Sequence, residues 1–205
     1  MVMNNWNIFW KTESINSIGM KYHHYIIFKI YKNFLDNFKL KKPSILEIGC
    51  GSGEITARIL KRYGGSAILV DNSEEAVKIA KNNFRKHKLK AKVILTDIFN
   101  FYTKKKFDLV HSEGLIEHFK GEKQNELIKI HKKYVKKDGI VIISVPRPSW
   151  YYKLWRFYLE KRDKWHYGFE KPMDEKKLKL LLERNGLKVL KSLNYFRYAF
   201  ALAKI

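Results

Sequence analysis

The sequence predicts an α/β fold: a doubly wound, mostly parallel seven-stranded sheet with one antiparallel edge strand, an N-terminal helical cap and an aromatic, basic lid. The first observation behind this prediction is that five short apolar runs alternate with charged stretches of helical periodicity. The second is that these runs are apolar almost throughout, which is typical of strands buried on both faces of a parallel sheet. The third is a pair of closely connected runs near the C-terminus, which predicts a hairpin and hence one antiparallel strand.

The strands are predicted from these runs in chain order. The five parallel strands are expected at residues 44–48, 67–70, 92–95, 107–110 and 140–145. The last two strands are expected at residues 187–193 and 195–203, with Asn194 as the short connection between them.

The helices between the strands are predicted from apolar stripes and capping residues. A helix is expected after Gly53, and a second is expected to begin at Asn72 with Glu75 as its capping-box partner. Asp174 is expected to cap a later helix that ends near Gly186. Apolar residues recur at helical spacing in these helices and in a further one at residues 127–134.

The domain organisation predicted for residues 1–205 is a single domain, since the length is ordinary for one domain. Differences in composition divide it into four segments. These are an N-terminal cap (1–43), a core of alternating strands and helices (44–145), an aromatic and basic lid (146–173) and a C-terminal helix with a hairpin (174–205).

The charge is strongly biased, with 42 basic and 20 acidic residues and a net charge of +22. Such a bias suggests an anionic partner, such as nucleic acid, an acidic lipid surface or a phosphorylated small molecule. The basic residues are mostly lysines spread along the chain, however, so a bias of overall composition explains them equally well. Both interpretations stay open at this point.

The single cysteine, Cys50, limits the chemistry available to this chain. It excludes an internal disulfide, a four-cysteine zinc site and a three-cysteine iron–sulfur cluster, and it is typical of a reducing compartment. The N-terminal residues contain no continuous apolar segment of the secretory type, and no run approaches 18 apolar residues. We therefore expect a cytoplasmic protein without a transmembrane segment, for which peripheral membrane contact stays open.

A glycine-rich turn after the first strand is the most informative motif. Gly49, Gly51 and Gly53 allow a sharp bend and a close approach of a ligand to the backbone, and the following helix presents free N–H groups. A dinucleotide site requires the spacing G-x-G-x-x-G, whereas this chain has G-x-G-x-G followed by Glu54, which would repel a pyrophosphate. Glu47, before the glycines, favours a positively charged ligand without phosphate.

Taken together, the motifs resemble those of class I (Rossmann-like) S-adenosylmethionine-dependent methyltransferases. The resemblance is carried by residues 47–53, Asp71, Asp97 and residues 107–110, in that order. Residues 112–119 and Lys137-Asp138-Gly139 are similar to the branch that includes ubiquinone and menaquinone biosynthesis methyltransferases. The resemblance is strong over residues 40–145 and holds elsewhere only in outline.

The resemblance implies S-adenosyl-L-methionine as the cofactor and a set of residues that bind it. In this set, the loop residues shape the methionine pocket, Asp71 binds the ribose, Asp97 and Ile98 border the adenine, and Ser112 lies with Glu113 beneath the methyl group. The residues expected to contact the cofactor are Glu47, Gly49, Cys50, Gly51, Gly53, Asp71, Asn72, Asp97, Ile98 and Ser112.

Methyl transfer from a sulfonium requires alignment of donor and acceptor above all, and a general base only where the acceptor needs one. His118, with Glu113 nearby, is the first candidate for a base, and His166 in the lid is the second. The alternative for His118 is that it only packs against or caps the following helix. No metal is expected.

The acceptor is indicated mainly by what the sequence lacks. There is no Asn/Asp-Pro-Pro-aromatic tetrapeptide after the fourth strand, which disfavours methylation of exocyclic amines of bases. Residues 147–167 instead hold eight aromatic side chains together with lysines and arginines. We therefore expect methyl transfer to a small-molecule or lipid-like acceptor, with an anionic one among the options.

Three alternatives stay open alongside that expectation. One is an RNA methyltransferase that uses the basic surface. Another is a non-catalytic module that binds the cofactor or RNA, and the last is a nicotinamide-dependent oxidoreductase. Either RNA alternative predicts steep loss of binding with salt.

Overall fold

The computed structural model describes residues 3–12, 18–38 and 40–205. The predicted cap (1–43) therefore includes residues outside the described part, namely 1–2, 13–17 and 39. The helices are α1 (Met3–Thr12), α2 (Ile18–Asp36), α3 (Glu54–Tyr63), α4 (Glu74–Lys86), α5 (Gly121–Tyr134), α6 (Trp150–Glu160) and α7 (Glu175–Arg184). The strands are β1 (Ser44–Ile48), β2 (Ser66–Asp71), β3 (Ala91–Leu95), β4 (Phe107–Glu113), β5 (Val135–Pro146), β6 (Lys188–Tyr195) and β7 (Tyr198–Lys204).

The seven strands form one sheet in the order β3-β2-β1-β4-β5-β7-β6. Strands β1 to β5 pair in parallel, and β7 is antiparallel to both of its neighbours, β5 and β6. The predicted doubly wound, mostly parallel seven-stranded sheet with one antiparallel strand is confirmed. That strand, β7, stands one place in from the edge, which β6 forms.

The core consists of one apolar layer on each face of the sheet. Alternate residues of β1 divide between the layers: Leu46 and Ile48 pack with α5 and α7, whereas Ile45 packs with α2, α3 and α4. Helix α2 belongs to the second layer, where Tyr31 and Phe34 are fully buried. Burying such side chains is worth roughly 1.5–3 kcal/mol each, so α2 stabilises the sheet as well as covering its end.

The predicted start of α4 is wrong by one residue. Ser73, rather than Asn72, is the N-cap, and its hydroxyl oxygen accepts a hydrogen bond from the amide of Ala76 at 3.3 Å. The reason is that Asp71 accepts the amide of Ser73 at 2.9 Å, which keeps Asn72 in the turn. Glu75 is therefore the second helical residue and forms no capping box.

The predicted hairpin connection is also misplaced. Asn194 lies within β6, and the turn is formed by Phe196 and Arg197, with Phe196 at φ 47°. The Asn194 side chain instead accepts the amide of Glu175 at the start of α7, at 3.0 Å. An asparagine usually marks a turn, but here its amide caps a neighbouring helix.

Strands β4 and β5 extend beyond their predicted ends. Strand β4 continues to Glu113, and β5 begins at Val135 with a register irregularity opposite residues 107–109. After the buried Val135, the next three residues of β5 are exposed and charged, so the start of this strand has no continuous apolar run. By contrast, the cap predicted at Asp174 is confirmed, because its carboxylate accepts the amide of Lys177 at 2.9 Å.

Candidate active site

A cavity of about 360 Å³ lies at the carboxyl ends of β1 and β4. The glycine loop and the segment after β4 form its floor, and residues of α1 and α2 close one side. The other side is formed by Pro146, Tyr152 and Trp155 and, further along the chain, by Tyr167 and Glu170. Ligands in open α/β sheets bind at this end of the strands, so the cavity has the position expected of an active site.

The glycine loop bends as its composition predicts. Gly49 and Gly51 have φ values of 66° and 51°, which only glycine adopts without strain. A Cβ atom on Gly51 would lie 2.4 Å from Cζ2 of Trp10, and one on Gly49 would lie 2.8 Å from Cδ1 of Leu115. The loop therefore has no room for a larger residue at either position, and Trp10 of α1 rests directly on it.

Asp71, at the end of β2, ties the loop to the start of α4. One carboxylate oxygen accepts the amide of Gly51 at 2.8 Å, and the other accepts the amide of Ser73 at 2.9 Å. Burial raises the pKa of Asp71, while these amides act in the opposite direction. The amide of Asn72 acts on the same carboxylate, which has about four acceptor sites in all and so can accept a further hydrogen bond.

Glu47 is a buried carboxyl group that lines the cavity. Its Oε2 atom has no hydrogen-bond partner in the described part of the chain, and Oε1 lies 3.9 Å from Nδ1 of His111. Burial raises the pKa of Glu47 well above its usual value, and the charges of Glu113 and Asp71 raise it further. An ammonium group beside this carboxylate would relieve the cost of its burial. The site thus fits the positively charged end of the cofactor that the motifs imply.

Glu113 differs from Glu47 because a histidine lies within hydrogen-bond distance of its carboxylate. Its Oε1 lies 2.8 Å from Nε2 of His23 on α2. Burial alone would raise the pKa of Glu113, but the hydrogen bond and charge of His23, with His24 and His111, hold that pKa below its usual value. Glu113 is therefore ionised at neutral pH, and sequence reasoning did not identify His23 as its partner.

His118 lines the cavity, and its ring has two backbone partners, in Phe169 and in Gly114. Its Nδ1 lies 2.7 Å from the carbonyl oxygen of Phe169, which can only accept, so Nδ1 carries the hydrogen and Nε2 has the lone pair. Nε2 lies 3.7 Å from Oε1 of Glu117 and 4.0 Å from Oε2 of Glu170. Burial lowers the pKa of His118, although the hydrogen bond to Phe169 opposes this. A neutral imidazole in this tautomer can accept a proton.

Glu117 and Glu170 are cavity residues that the sequence did not single out as a pair. Neither carboxylate oxygen of Glu117 has a hydrogen-bond partner within the described residues. Burial and then the charge of Glu170 raise the pKa of Glu117 well above its usual value. Tyr152 donates a hydrogen bond to Oε1 of Glu170. The two acids lie far apart in the chain, and no local pattern could have joined them.

Aromatic side chains form the wall opposite the glycine loop. The ring of Tyr167 lies 5.1 Å from Phe9, 5.7 Å from Trp155 and 6.3 Å from Trp6, measured between centroids. The Trp6 ring meets His118 edge-on at 5.0 Å. The predicted cap and lid thus meet at this wall, and the same rings line the cavity.

Several predicted site residues lie outside the cavity lining. The hydroxyl of Ser112 points to the opposite face of the sheet, where it lies 3.0 Å from Nε2 of His131, so it does not form the floor beneath a methyl group. Asp97 caps a 3₁₀ turn (Ile98–Asn100) by accepting the amide of Phe99 at 2.9 Å. The other predicted residues that do not line the cavity are Gly53, Asp71, Asn72, Ile98 and His166.

Among the residues the structure describes, no group of three or more His, Cys, Asp or Glu side chains is arranged to hold a metal ion. No helix in the described ranges combines the length and apolarity needed to cross a bilayer.

Comparison with known proteins gives the family. The family model described as "Methyltransferase domain" matches residues 21–192. The ubiquinone biosynthesis O-methyltransferase of Pelagibacter ubique is 31% identical over 134 residues, which cover 64% of this chain and 53% of that protein. A ribosomal protein L11 methyltransferase of Thermosipho africanus is 32% identical over 117 residues, covering 57% and 42%. The chain thus matches about half or less of the length of these relatives.

A solved structure shows the same fold. The magnesium protoporphyrin IX methyltransferase of Synechocystis, crystallised with S-adenosylhomocysteine, superposes with a TM-score of 0.72 at 13% identity. The superposition covers 98% of this chain and 92% of that one. The family match, the sheet order and the glycine loop agree, and the chain therefore belongs to the methyltransferase-domain family of class I proteins, whose cofactor is S-adenosylmethionine.

Proposed function

We propose that this chain transfers the methyl group of S-adenosylmethionine, by in-line displacement, to a small-molecule acceptor bound in the cavity. One observation carries the proposal: a single cavity connects the glycine loop and Glu47 with a neutral histidine and an aromatic wall. A reaction between two ligands needs one enclosed space that holds both with their reacting atoms roughly 3–3.5 Å apart.

The cofactor would be held by the loop and the strand ends. Glu47 would bind its ammonium group, and Asp71 would accept the ribose hydroxyls with its remaining lone pairs. Asp97 and Ile98 remain our candidates for the adenine side. When bound, the sulfonium of the cofactor supplies an activated methyl group.

Residues of the cavity floor and of the aromatic wall would act on the acceptor. Nε2 of His118 would take the proton that the acceptor loses, as a base whose tautomer is fixed by Phe169. Glu113, ionised beside His23, would hold positive charge near the transferring methyl group. The aromatic wall would exclude water. His166 stays a second candidate base, which no contact described here supports.

The division of the chain follows from the same proposal. Residues 44–145 would bind the cofactor, while residues 1–43 and 146–173 would enclose the acceptor. A cavity of about 360 Å³ is within the ordinary range of small-molecule sites. Its acidic lining would repel the phosphates of RNA, so the small-molecule acceptor is favoured over the RNA alternative.

Two measurements test the proposal. Calorimetry should detect binding of S-adenosylhomocysteine, and cofactor with a labelled methyl group should transfer label to the small-molecule fraction of an extract from the source cells. Label that appears only in RNA or protein would contradict the acceptor class. Tight binding of the cofactor without any transfer would favour the non-catalytic module, and binding of NAD alone would overturn the family chemistry.

A further inference from the structure

We propose that the acceptor is an organic amine whose ammonium group binds at Glu117 and Glu170 and whose apolar body packs on the aromatic wall. This inference rests on the proposed function and deepens it, because it gives the chemical class of the acceptor. It also replaces the anionic acceptor that the overall charge suggests.

The first argument is the unsatisfied carboxyl group of Glu117. Its side chain is fully buried, it lines the cavity, and neither oxygen has a hydrogen-bond partner in the part of the chain that is described. An unpaired buried polar group costs roughly 1–3 kcal/mol, and a charged one costs more. Such a group is retained in a folded protein when something that binds it supplies the missing partner.

The second argument is that the neighbouring charges leave Glu117 without compensation. The carboxylates of Glu170 and Glu113 act on it, and the nearest ring nitrogen, Nε2 of His118, lies 3.7 Å from Oε1, beyond hydrogen-bond distance. The two nearby arginines act on Glu170 and not on Glu117. Arg156 donates to the carbonyl of Glu170 at 3.0 Å and to Glu160, while Arg197 lies 4.6 Å above the ring of Trp155.

The third argument is the wall itself. Rings of Trp6, Tyr167 and Trp155 surround the side of the cavity that holds His118 and Glu170. An ammonium group near aromatic faces gains roughly 0.5–2 kcal/mol from the cation–π interaction. Aromatic rings beside the unpaired carboxyl group of Glu117 are a combination that selects cations with an apolar body.

The fourth argument is the charge balance of the lining. Five acidic residues line the cavity, namely Glu47, Glu54, Glu113, Glu117 and Glu170. Arg197 is the single lysine or arginine among the described lining residues. In a chain of net charge +22, this local excess of acid runs against the overall composition. One acid, Glu47, serves the cofactor, and the Glu117–Glu170 pair is left for the acceptor.

Binding of an amine should change the protonation of Glu117. Because burial raises the pKa of Glu117 well above its usual value, burial favours the protonated form of the group when no cation is bound. An ammonium group beside it favours the ionised form, so a proton is released on binding. His118, Glu170 and Glu113 face the same space, and a variant of Glu117 identifies which group releases the proton.

The experiment is calorimetry on the full chain saturated with S-adenosylhomocysteine, using three probes of matched shape. They are phenethylamine, 2-phenylethanol and 3-phenylpropionate, which differ chiefly in charge. We expect the amine to bind at least about tenfold more tightly than the alcohol, which corresponds to about 1.4 kcal/mol. Titrations in phosphate and in Tris at pH 7 should show proton release for the amine.

A matched pair of variants locates the site. Glu117→Gln should weaken amine binding about tenfold or more and abolish proton release, while leaving binding of S-adenosylhomocysteine unchanged. Glu126→Gln, on the exposed surface of α5, makes the same chemical change and should alter neither ligand. Should Glu117→Gln fail to fold, the three-probe series on the unmodified chain decides the question by itself.

The outcomes separate the two proposals. Tighter binding of phenylpropionate, or equal binding of amine and alcohol, overturns the amine inference while methyl transfer stands. Loss of amine binding in Glu126→Gln as well as in Glu117→Gln also overturns it, because the effect would then not be local. If S-adenosylhomocysteine itself does not bind, both proposals fail.

Discussion

The two ends of the sheet carry opposite charges. At the carboxyl ends of the strands, carboxylates line the enclosed cavity. At the amino ends, lysines line an open groove that crosses the beginnings of the first five strands. The groove is lined by Ser44, Ser66, Ala67, Ile68, Lys90, Ala91, Lys92, Lys105, Lys106, Phe107 and Lys136.

The difference lies in burial more than in the number of charges. Glu47 and Glu117 are nearly inaccessible, and Oε2 of Glu47 and both carboxylate oxygens of Glu117 lack hydrogen-bond partners among the described residues, whereas Lys136 is exposed and pairs with Asp108 at 2.8 Å. An exposed charge stays hydrated and has a small free-energy cost, whereas a buried charge needs a partner to offset its loss of hydration. The net charge of +22 therefore gives no indication of the acidic site inside the molecule.

The largest effect is expected from adding a side chain to the glycine loop, which lies at the carboxyl ends of the strands. Gly51→Val adds a side chain at φ 51° and places its Cβ 2.4 Å from Trp10, so affinity for S-adenosylhomocysteine should fall at least about a hundredfold by calorimetry. Gly121→Ala is the control, because Gly121 has a similar φ of 55° but nothing within 4 Å of an added Cβ. That control should cost about 1–2 kcal/mol of stability and no affinity. Equal loss of affinity in both would contradict the assigned role of the loop.

The next effect is expected at His118. His118→Asn should lower the rate of methyl transfer about 10²–10⁴-fold for an acceptor that must lose a proton, with unchanged affinity for S-adenosylhomocysteine. His87→Asn, at an exposed position, should leave the rate unchanged. A normal rate in His118→Asn would mean that this residue only packs.

The pH profile of the rate gives an independent check on His118. Burial lowers the pKa of His118 below its ordinary 6.5, so the neutral base persists as the pH falls through that value. Activity should therefore be kept at pH 6.5 and be lost only at lower pH. A rate that already halves above pH 6.5 would contradict a neutral buried base.

A smaller effect is expected at Glu47, with opposite signs for binding and stability. Glu47→Gln removes the partner of an ammonium group and should weaken S-adenosylhomocysteine binding about 10- to 100-fold. The folded chain should be no less stable, because an unpaired buried carboxyl group is lost.

The pH dependence of the unfolding free energy tests the raised pKa of Glu47. Burial raises its folded pKa above the usual value, so stability is lost as the pH rises from that value towards the folded pKa. The stability of Glu47→Gln relative to the unmodified chain should thus increase over the same range, measured by urea unfolding. A relative loss on raising the pH would show that Glu47 is paired in solution.

The smallest effect is expected in the lysine-lined groove at the amino ends of the strands. Lys136→Met breaks the exposed ion pair with Asp108 and should cost less than about 1 kcal/mol of unfolding free energy. Binding of S-adenosylhomocysteine should not change. A large loss of affinity would show that the two ends of the sheet are coupled.

Much of the fold follows from local signals in the sequence. The strand that ends in Gly49 and the helix after Gly53 were predictable because buried parallel strands are apolar throughout and glycine marks a tight turn. The errors arose where hydrogen bonds of the folded chain, from a neighbouring or a distant residue, decide the position of an asparagine. Asn194 lies in β6 and accepts a hydrogen bond from the start of α7 instead of forming the turn. Ser73, and not Asn72, caps α4.

For the site, the sequence by itself determined the family motifs, Glu47, Glu113 and His118, because these residues are adjacent to strand ends that can be recognised locally. Only the tertiary structure decided that Glu117 meets Glu170, that His23 pairs with Glu113, and that Ser112 faces away from the cavity. The physical reason is that hydrogen bonding, burial and pKa depend on neighbours brought together by the folded chain, which no spacing along the sequence records.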